Sequence, residues 1–239
     1  MILPRIIAHR CGGALAPENT LAGLKIAVRL GCHGVEFDTM LAADGIPVLM
    51  HDELLERTTS GHGRVADLDS LRLARLDAGS RHHPAFAVEP VPTLEEALRF
   101  CAALGLWANV EIKPAAGQEV ETGRVVARHA AAATGKLLLS SFSSVALRAA
   151  ADEAAHLPRA MLVEAIPADW RERMMETGAR ALHSAARALT VDALQAVSDA
   201  GFPLACYTVN RREEAERLFA MGVSAVFTDR PDLWASAEM

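Results

Sequence analysis

The sequence predicts an α/β fold and, within that class, a TIM-type (β/α)8 barrel in a single domain over residues 1–239. Short apolar runs typical of strands alternate with helix-like amphipathic segments along almost the whole chain. Nine candidate strands that alternate with helices over this length favour a barrel over an open doubly wound sheet. In addition, no glycine-rich dinucleotide fingerprint follows the first strand, which disfavours the alternative, an open sheet of eight or nine parallel strands.

The predicted elements follow one another in a regular order. The candidate strands are 5–9, two strands within 34–52, 107–113, 136–141, 159–163, 181–184, 203–209 and 225–228. The candidate helices are 21–30, 93–104, 118–133, 144–155, 168–177, 190–200 and 211–221. Asn19 or Thr20 is the expected N-cap of the first helix, and Thr93 begins the second.

Residues 53–92 interrupt this order. They are rich in Gly, Pro, His and charged residues, and only one short helix, around 68–76, is expected in them. An irregular segment of this length inside a compact domain is either a functional excursion or a misread element. We interpret it as an insertion that follows the second and third strands.

Composition and charge exclude several classes of protein. Of the 239 residues, 51% are hydrophobic, and the net charge is −6. This charge argues against a nucleic-acid or anionic-membrane surface, so an anionic substrate would need local positive charge. The four cysteines, without C-x-x-C spacing, fit reduced thiols.

The beginning of the chain bears on localisation. Pro4 and Arg5 interrupt the first apolar residues before a signal-peptide core could form. No apolar run approaches transmembrane length. We therefore expect a cytoplasmic protein that acts on a small molecule, without a nucleic-acid or membrane partner, while the sequence does not indicate an oligomeric state.

The stretch 34–52 carries the first candidate site residues. Val35 and Phe37 alternate with Glu36 and Asp38, so an extended segment places both carboxylates on one face. The simpler interpretation is an edge strand with a solvated acidic face.

A hairpin is predicted in the same stretch. Asp44-Gly45 is a tight-turn signal, and the apolar run after it ends in His51. The connection is too short for a parallel crossover, so the two strands should be antiparallel. With Asp44 and Gly45 as the central turn residues, Asp38 is expected directly opposite His51.

Polar residues cluster at several predicted strand ends. These residues are His9, Arg10, Glu36, Asp38, His51, Glu111 and Lys113. Alternation places Glu111 and Lys113 on one face of their strand, opposite Val110 and Ile112. Because a barrel brings the carboxyl ends of its strands together in one mouth, we expect these side chains to meet there.

Three converging carboxylates indicate a cation. Oxygen ligands favour a hard divalent ion, and we expect Mg²⁺, with Ca²⁺ as a second possibility. A zinc site with His9, His51 and a carboxylate competes with this interpretation, and it would remove both imidazoles from acid/base work. Otherwise the two histidines suit general acid/base catalysis, and Arg10 and Lys113 supply positive charge for an anionic substrate.

The order of these motifs resembles the glycerophosphodiester phosphodiesterase family, especially its small bacterial cytosolic members. The matching stretches are His9-Arg10, Pro17-Glu18-Asn19-Thr20, Glu36-Phe37-Asp38, Asp44-Gly45, His51-Asp52, Val110-Glu111-Ile112-Lys113, Ser141-Phe142, Tyr207-Thr208-Val209-Asn210 and Thr228-Asp229. Together they extend from Ile6 to about Asp232. The resemblance implies a TIM barrel that uses a divalent metal to hydrolyse deacylated phospholipids, such as glycerophosphocholine, to sn-glycerol 3-phosphate and an alcohol.

The resemblance also implies roles for individual residues. The matching positions are Glu36, Asp38 and Glu111 for the metal, His9 and His51 for acid/base catalysis, and Arg10 and Lys113 for the phosphate. Phe142 and Tyr207, at strand ends, are expected to shape the alcohol or glycerol pocket, and His183 is a further candidate for the mouth. The insertion at about 53–92 is typical of the family and is expected to cover the mouth.

Two positions depart from the family pattern. Many members have Gly directly after the His-Arg pair, whereas this chain has Cys11, whose Cβ matters if the position needs positive φ. Tyr207 stands where many relatives have Trp.

Some alternatives remain open at this point. The nucleophile is either the substrate's neighbouring glycerol hydroxyl, through a cyclic phosphate, or water. A barrel that binds glycerophosphodiesters without hydrolysing them is a second functional class. Another metal-dependent barrel enzyme is a third, although an amidohydrolase would show His-x-His where this chain has His9-Arg10-Cys11.

Overall fold

A computed structural model describes residues 2–235 and confirms the predicted barrel. Eight parallel strands close into a cylinder because the first strand pairs with both the second and the last. The strands are β1 (Ile6–Ala8), β2 (Gly34–Leu41), β3 (Pro47–Leu49), β4 (Trp107–Ile112), β5 (Leu137–Ser141), β6 (Arg159–Val163), β7 (Ala181–Ala185), β8 (Leu204–Tyr207) and β9 (Ala225–Thr228). Only β3 lies outside the cylinder, as an antiparallel extension of β2.

Helices connect the parallel strands. They are α1 (Leu21–Arg29), α2 (Ser70–Leu73), α3 (Leu94–Ala103), α4 (Glu119–Ala132), α5 (Ser144–Glu153), α6 (Trp170–Thr177), α7 (Val191–Asp199) and α8 (Arg212–Ala220). Thr20, rather than Asn19, caps α1, since its hydroxyl accepts a hydrogen bond from the Gly23 amide. Thr93 and Glu96 form a capping box at the start of α3.

The barrel interior is filled by a separate cluster of apolar side chains. It combines larger side chains, such as Ile7 and Phe227, with four alanines from four different strands: Ala160, Ala181, Ala205 and Ala225. Outside the cylinder, two larger clusters pack the strands against the helices. Because both faces of each strand are covered, the strands are hydrophobic almost throughout, and their few buried charges stand out.

Residues 53–92 form an ordered excursion with its own core. Leu55, Val65 and Leu73 of this segment pack with Met40 and Val48 of the β2–β3 hairpin. The helix expected around 68–76 is shorter than predicted, since α2 covers only Ser70–Leu73. Most of this segment is therefore held in place by packing rather than by regular secondary structure.

The hairpin forms as predicted, but its predicted register is wrong by one residue. Thr39 pairs with Leu49, which places Asp38 opposite Met50 instead of His51. The loop contains three residues rather than two, because Gly45 adopts φ +77° and donates its amide hydrogen to the Ala42 carbonyl. His51 consequently follows the end of β3 and reaches the barrel mouth from the next segment.

Two further properties concern the helices and the cysteines. Within residues 2–235, no helix has the length and apolar character needed to cross a membrane. The four cysteines carry free thiols, as expected from their spacing.

Candidate active site

A cavity of about 260 Å³ lies at the carboxyl ends of the barrel strands. All of the predicted site residues line it: His9, Arg10, Glu36, Asp38, His51, Glu111, Lys113, Phe142 and Tyr207. Asn109, His183 and Arg187 also contribute to its walls. The predicted site residues thus come from six strands or strand ends, and His183 and Arg187 add a seventh.

The acidic residues form a compact buried cluster. Glu36 and Asp38 lie on β2, and Glu111 on β4 pairs directly with Asp38. One oxygen from each carboxylate can be chosen so that all three lie within 4.8 Å of one another. Burial, with repulsion from Asp38, raises the pKa of Glu111 to about 8, and burial and its acidic neighbours also raise the pKa of Glu36.

The cluster has the properties of a cation site. Oε1 of Glu36 and Oε1 of Glu111 are buried and have no hydrogen-bond partner among the described residues. Buried acceptors without partners are costly, and a cation would satisfy both. Since the three ligating groups are all carboxylates, they fit a hard divalent ion.

The segment after β1 orients two of these carboxylates. Asn19 donates its side-chain amide to Oδ2 of Asp38 (2.8 Å), while its own Oδ1 accepts the Asp38 backbone amide (3.0 Å). The backbone amide of Arg10 donates to Oε2 of Glu36 (2.8 Å). The β1–α1 connection therefore holds two of the three carboxylates in place.

Cys11 occupies a strained position in this connection. Its φ is +75°, and that of Arg10 is +48°, a region that favours glycine. The buried Cys11 side chain fits because α1 has Gly23 beside it; a Cβ at Gly23 would lie 2.8 Å from the Cβ of Cys11. The position therefore does require positive φ, at a cost of about 1–3 kcal/mol for a residue other than glycine.

Each of the two histidines is paired with an aspartate. Nδ1 of His9 lies 2.7 Å from Oδ1 of Asp229, and Nδ1 of His51 lies 2.6 Å from Oδ1 of Asp52. Asn210 anchors Asp229 through two hydrogen bonds. With Nδ1–H donated to a carboxylate, Nε2 of each ring is the atom left for chemistry.

Nε2 of His51 accepts a hydrogen bond from the ammonium group of Lys113 (3.1 Å). Burial lowers the pKa of His51, and the nearby charges of Arg10 and Lys113 lower it further, which together outweigh the opposing effects of Asp38 and Asp52. The imidazole is therefore favoured in its neutral form, able to accept a proton.

The two basic side chains lie beside the carboxylates. Lys113 places Nζ 3.8 Å from Glu111 and 3.9 Å from Asp38. Arg10 places Nε 3.7 Å from Asp38 and donates from Nη1 to Glu18. Positive charge thus lies beside the acidic cluster, where an anionic ligand would need it.

Arg57, from the excursion, contacts the carboxylates that hold Arg10 and His51. Its two terminal nitrogens donate to the carboxylate of Glu18 (2.7 and 2.8 Å), and its Nε donates to Asp52. The hydrogen bond from Arg57, with that from His51, lowers the pKa of Asp52 to about 2. Arg57 therefore connects the group that holds Arg10 with the group that holds His51.

The opposite wall of the cavity is aromatic. The rings of Phe142 and Tyr207 meet edge to face, with centroids 6.0 Å apart. The Tyr207 hydroxyl donates to the Val163 carbonyl (2.7 Å), which fixes the ring, whereas Phe142 is half exposed. His183 is fully buried against Phe227, and burial lowers its pKa to about 3, so it lies in the cavity wall as a neutral ring.

Several supporting residues were not predicted as site residues. Asp52, Asp229 and Glu18 lie in the motifs quoted above, and their positions next to site residues were the available signal. Arg57 and Arg187 had no such signal, because each is an ordinary surface-type residue until the chain folds.

Comparison with known proteins agrees with this geometry. The model of the glycerophosphoryl diester phosphodiesterase family matches residues 9–233. A glycerophosphodiester phosphodiesterase from Caldanaerobacter subterraneus subsp. tengcongensis is 31% identical over 95% of this chain and 94% of that protein. Another from Bacillus subtilis is 30% identical over 95% of this chain and 84% of its own length.

A solved structure shares the fold closely. A phosphodiesterase from Oleispira antarctica, determined in complex with the product sn-glycerol-3-phosphate, superposes with a TM-score of 0.94 and 37% identity. The match covers 98% of this chain and 96% of the other.

Proposed function

Because the chain belongs to the glycerophosphoryl diester phosphodiesterase family, and is thus a phosphoric diester hydrolase, we propose that it hydrolyses glycerophosphodiesters to sn-glycerol 3-phosphate and an alcohol. The observation that carries this proposal is the single cavity in which three buried carboxylates lie beside two histidine–aspartate pairs. The product named in the Oleispira antarctica complex supports the choice of product. We take residues 1–239 as one catalytic unit.

Glu36, Asp38 and Glu111 would hold the divalent cation. Bound there, the cation would act as a Lewis acid and neutralise charge on the phosphoryl oxygens. The all-carboxylate ligand set supports Mg²⁺, or Ca²⁺, over zinc, because hard cations favour oxygen ligands and Nε2 of His51 faces the ammonium group of Lys113.

His9 and His51 would move the protons. One imidazole takes the proton from the nucleophile, and the other donates a proton to the departing alcohol. Asp229 and Asp52 hold the rings in the tautomer that presents Nε2. The nucleophile is either the neighbouring glycerol hydroxyl or water, and trapping a cyclic glycerol phosphate would identify the first route.

Arg10 and Lys113 would bind the phosphate. Both are cationic side chains beside the acidic cluster. Lys113 lies 3.8 Å or more from Glu111 and Asp38, and Arg10 bonds Glu18 through Nη1 while its buried Nε has no hydrogen-bond partner among the described residues. Phe142 and Tyr207 would enclose the organic part of the diester. The free thiols support the cytoplasm as the proposed location.

The direct test is release of glycerol 3-phosphate by purified, EDTA-treated protein before and after addition of Mg²⁺, Ca²⁺ or Zn²⁺. Glycerophosphocholine, glycerophosphoethanolamine and glycerophosphoglycerol serve as substrates. We expect Mg²⁺ or Ca²⁺ to restore release, and His51→Ala and Glu111→Ala to abolish it while the circular dichroism spectrum is retained. Binding of the diesters without release under any condition would instead indicate a binding protein.

A further inference from the structure

The barrel mouth has two chemically different sides. The reactive side is formed at the ends of β1, β2 and β4 and in the segment after β3, and it carries the acidic cluster, both basic side chains and His51. The open side is formed at the ends of the four consecutive strands β5, β6, β7 and β8. It carries Phe142, Glu164, Arg187 and Tyr207.

The two sides also differ in exposure. On the open side, the side chains of Arg187 and Glu164 are 80% and 56% exposed. On the reactive side, Arg10 and Lys113 are mostly buried. Arg57 of the excursion forms hydrogen bonds with Glu18 and Asp52 there. In a glycerophosphodiester the phosphate and glycerol are constant and the alcohol varies. A variable group needs an unenclosed region, and the exposed side chains of the open side provide one.

Arg187 is the positively charged side chain that the open side contributes to the cavity wall among the described residues. It lies in a short 3₁₀ helix directly after β7, and its guanidinium bonds to Glu164 after β6. The backbone amide of Ala185 donates to the Glu164 carbonyl (3.2 Å), which keeps the two segments adjacent. An ion pair this exposed is weak and opens easily, so a substrate can compete for Arg187.

We propose that Arg187 discriminates among substrates by the charge of the alcohol. It favours alcohols that offer hydroxyl or carboxylate oxygens and disfavours quaternary ammonium groups, and Glu164 weakens this preference by pairing with it. The inference rests on the proposed function. The aromatic faces of Phe142 and Tyr207 could attract a cation by themselves, but a guanidinium beside them opposes it.

The test compares kcat/KM for glycerophosphoglycerol and glycerophosphocholine, whose alcohols differ by one positive charge. Arg187→Gln should lower the ratio of the first to the second by about threefold at low ionic strength, the size expected for one charge about 6 Å away in water. Glu164→Gln should raise the ratio by a similar factor, because it leaves Arg187 unpaired. Both shifts should shrink in high salt.

The matched control is Arg173→Gln. Arg173 is an exposed residue of α6 that pairs with Asp169 and does not line the cavity, and its loss should leave the ratio unchanged. An equal loss of kcat/KM for both substrates in Arg187→Gln would place Arg187 on the phosphate or glycerol and overturn the inference. An unchanged ratio would overturn it as well.

The same variants are also examined for binding, in a His51→Ala background with Ca²⁺ present. The ratio of the two Kd values should shift in the same directions as the ratio of kcat/KM. Failure of the wild-type protein to release glycerol 3-phosphate would contradict the proposed function, while this binding ratio would still decide the charge preference. Absence of binding of both diesters would overturn the inference too.

Discussion

Asp52 controls the orientation and the pKa of His51. It accepts the Nδ1 hydrogen of His51 and is itself held ionised by Arg57. An asparagine at this position keeps the size but removes the charge, and its amide can favour the wrong imidazole tautomer.

We expect Asp52→Asn to lower kcat about 10²-fold, within the range attributed to general acid/base catalysis. Because Asp52 acts to raise the pKa of His51, its loss should also move the His51-dependent limb of the pH–kcat profile to lower pH. The measurement is kcat from pH 5 to 9. Asp152→Asn, at an exposed position on α5, should change neither quantity; an unshifted profile with full kcat in Asp52→Asn would contradict the assignment.

Two asparagines allow the proposed metal site and the His9 site to be tested separately. Asn19 anchors the proposed ligand Asp38, whereas Asn210 anchors Asp229, the partner of His9. Mutation of a residue that hydrogen-bonds a metal-ligating carboxylate typically weakens metal affinity by about 10–100-fold.

Asn19→Ala should therefore weaken Mg²⁺ or Ca²⁺ binding by about tenfold or more. Asn210→Ala should reduce kcat at saturating metal while metal affinity stays within about twofold of wild type, since Asn210 does not contact the cluster. Titration calorimetry gives the affinities and saturating-metal assays give kcat. Equal loss of metal affinity in both variants would show that the two anchors do not act separately.

At the residue scale, the sequence was sufficient to predict which side chains line the cavity wherever a strand fixed their direction. Alternation on β2 and β4 predicted that Glu36, Asp38, Glu111 and Lys113 share the cavity, and they line it. The partners Asp52 and Asp229 follow strand ends, where the backbone leaves the regular pattern, so no periodicity indicates where their side chains point.

The excursion is the element that the sequence describes least. Its core is built from irregular segments, and the short helix α2 carries little periodic signal. Arg57, the residue that links the excursion to the site, is nearly half exposed. Its role is visible only from its contacts with Glu18 and Asp52 in the folded protein. The same limit explains the register error of the hairpin, which depended on whether the turn held two or three residues.

Arg57→Ala should lower kcat at least tenfold, because both Arg10 and His51 lose a positioned partner. Arg57→Lys should restore only part of the activity, since an ammonium cannot bond Glu18 in a bidentate way. The readouts are kcat, KM and the pH–kcat profile, whose His51-dependent limb should move in Arg57→Ala.

Arg64→Ala is a close control for this experiment. Arg64 belongs to the same excursion, is 49% exposed against 47% for Arg57, and pairs with Glu53 away from the cavity wall. It should reduce stability by no more than about 1 kcal/mol and leave the pH profile unchanged. Similar activity in the two variants would show that the excursion does not position the site through Arg57.

At the scale of the whole molecule, barrel closure follows from the strand and helix alternation, and it explains why a charged cluster can persist in the core. Eight parallel strands bring their carboxyl ends together, so residues far apart in sequence share one mouth. The enclosure that creates the site also desolvates its carboxylates, which raises the pKa of Glu36 and Glu111. Ionisation of these two carboxyl groups therefore destabilises the metal-free protein.

This gives a pH-dependent prediction for the metal-free protein. The folded-state pKa of Glu111, about 8, lies above that of an unfolded glutamate, about 4.3. Its contribution to stability is thus fully present below pH 4.3 and is lost as the pH rises through 8. A divalent cation binds the ionised carboxylates, so its stabilising effect should grow over the same interval. We expect the Tm gained on adding saturating Mg²⁺ or Ca²⁺ to EDTA-treated protein to increase from pH 6 to pH 8.5, and the increase to be smaller in Glu111→Gln. A Tm gain that is independent of pH in the wild-type protein would mean that the cation does not bind at the buried carboxylates.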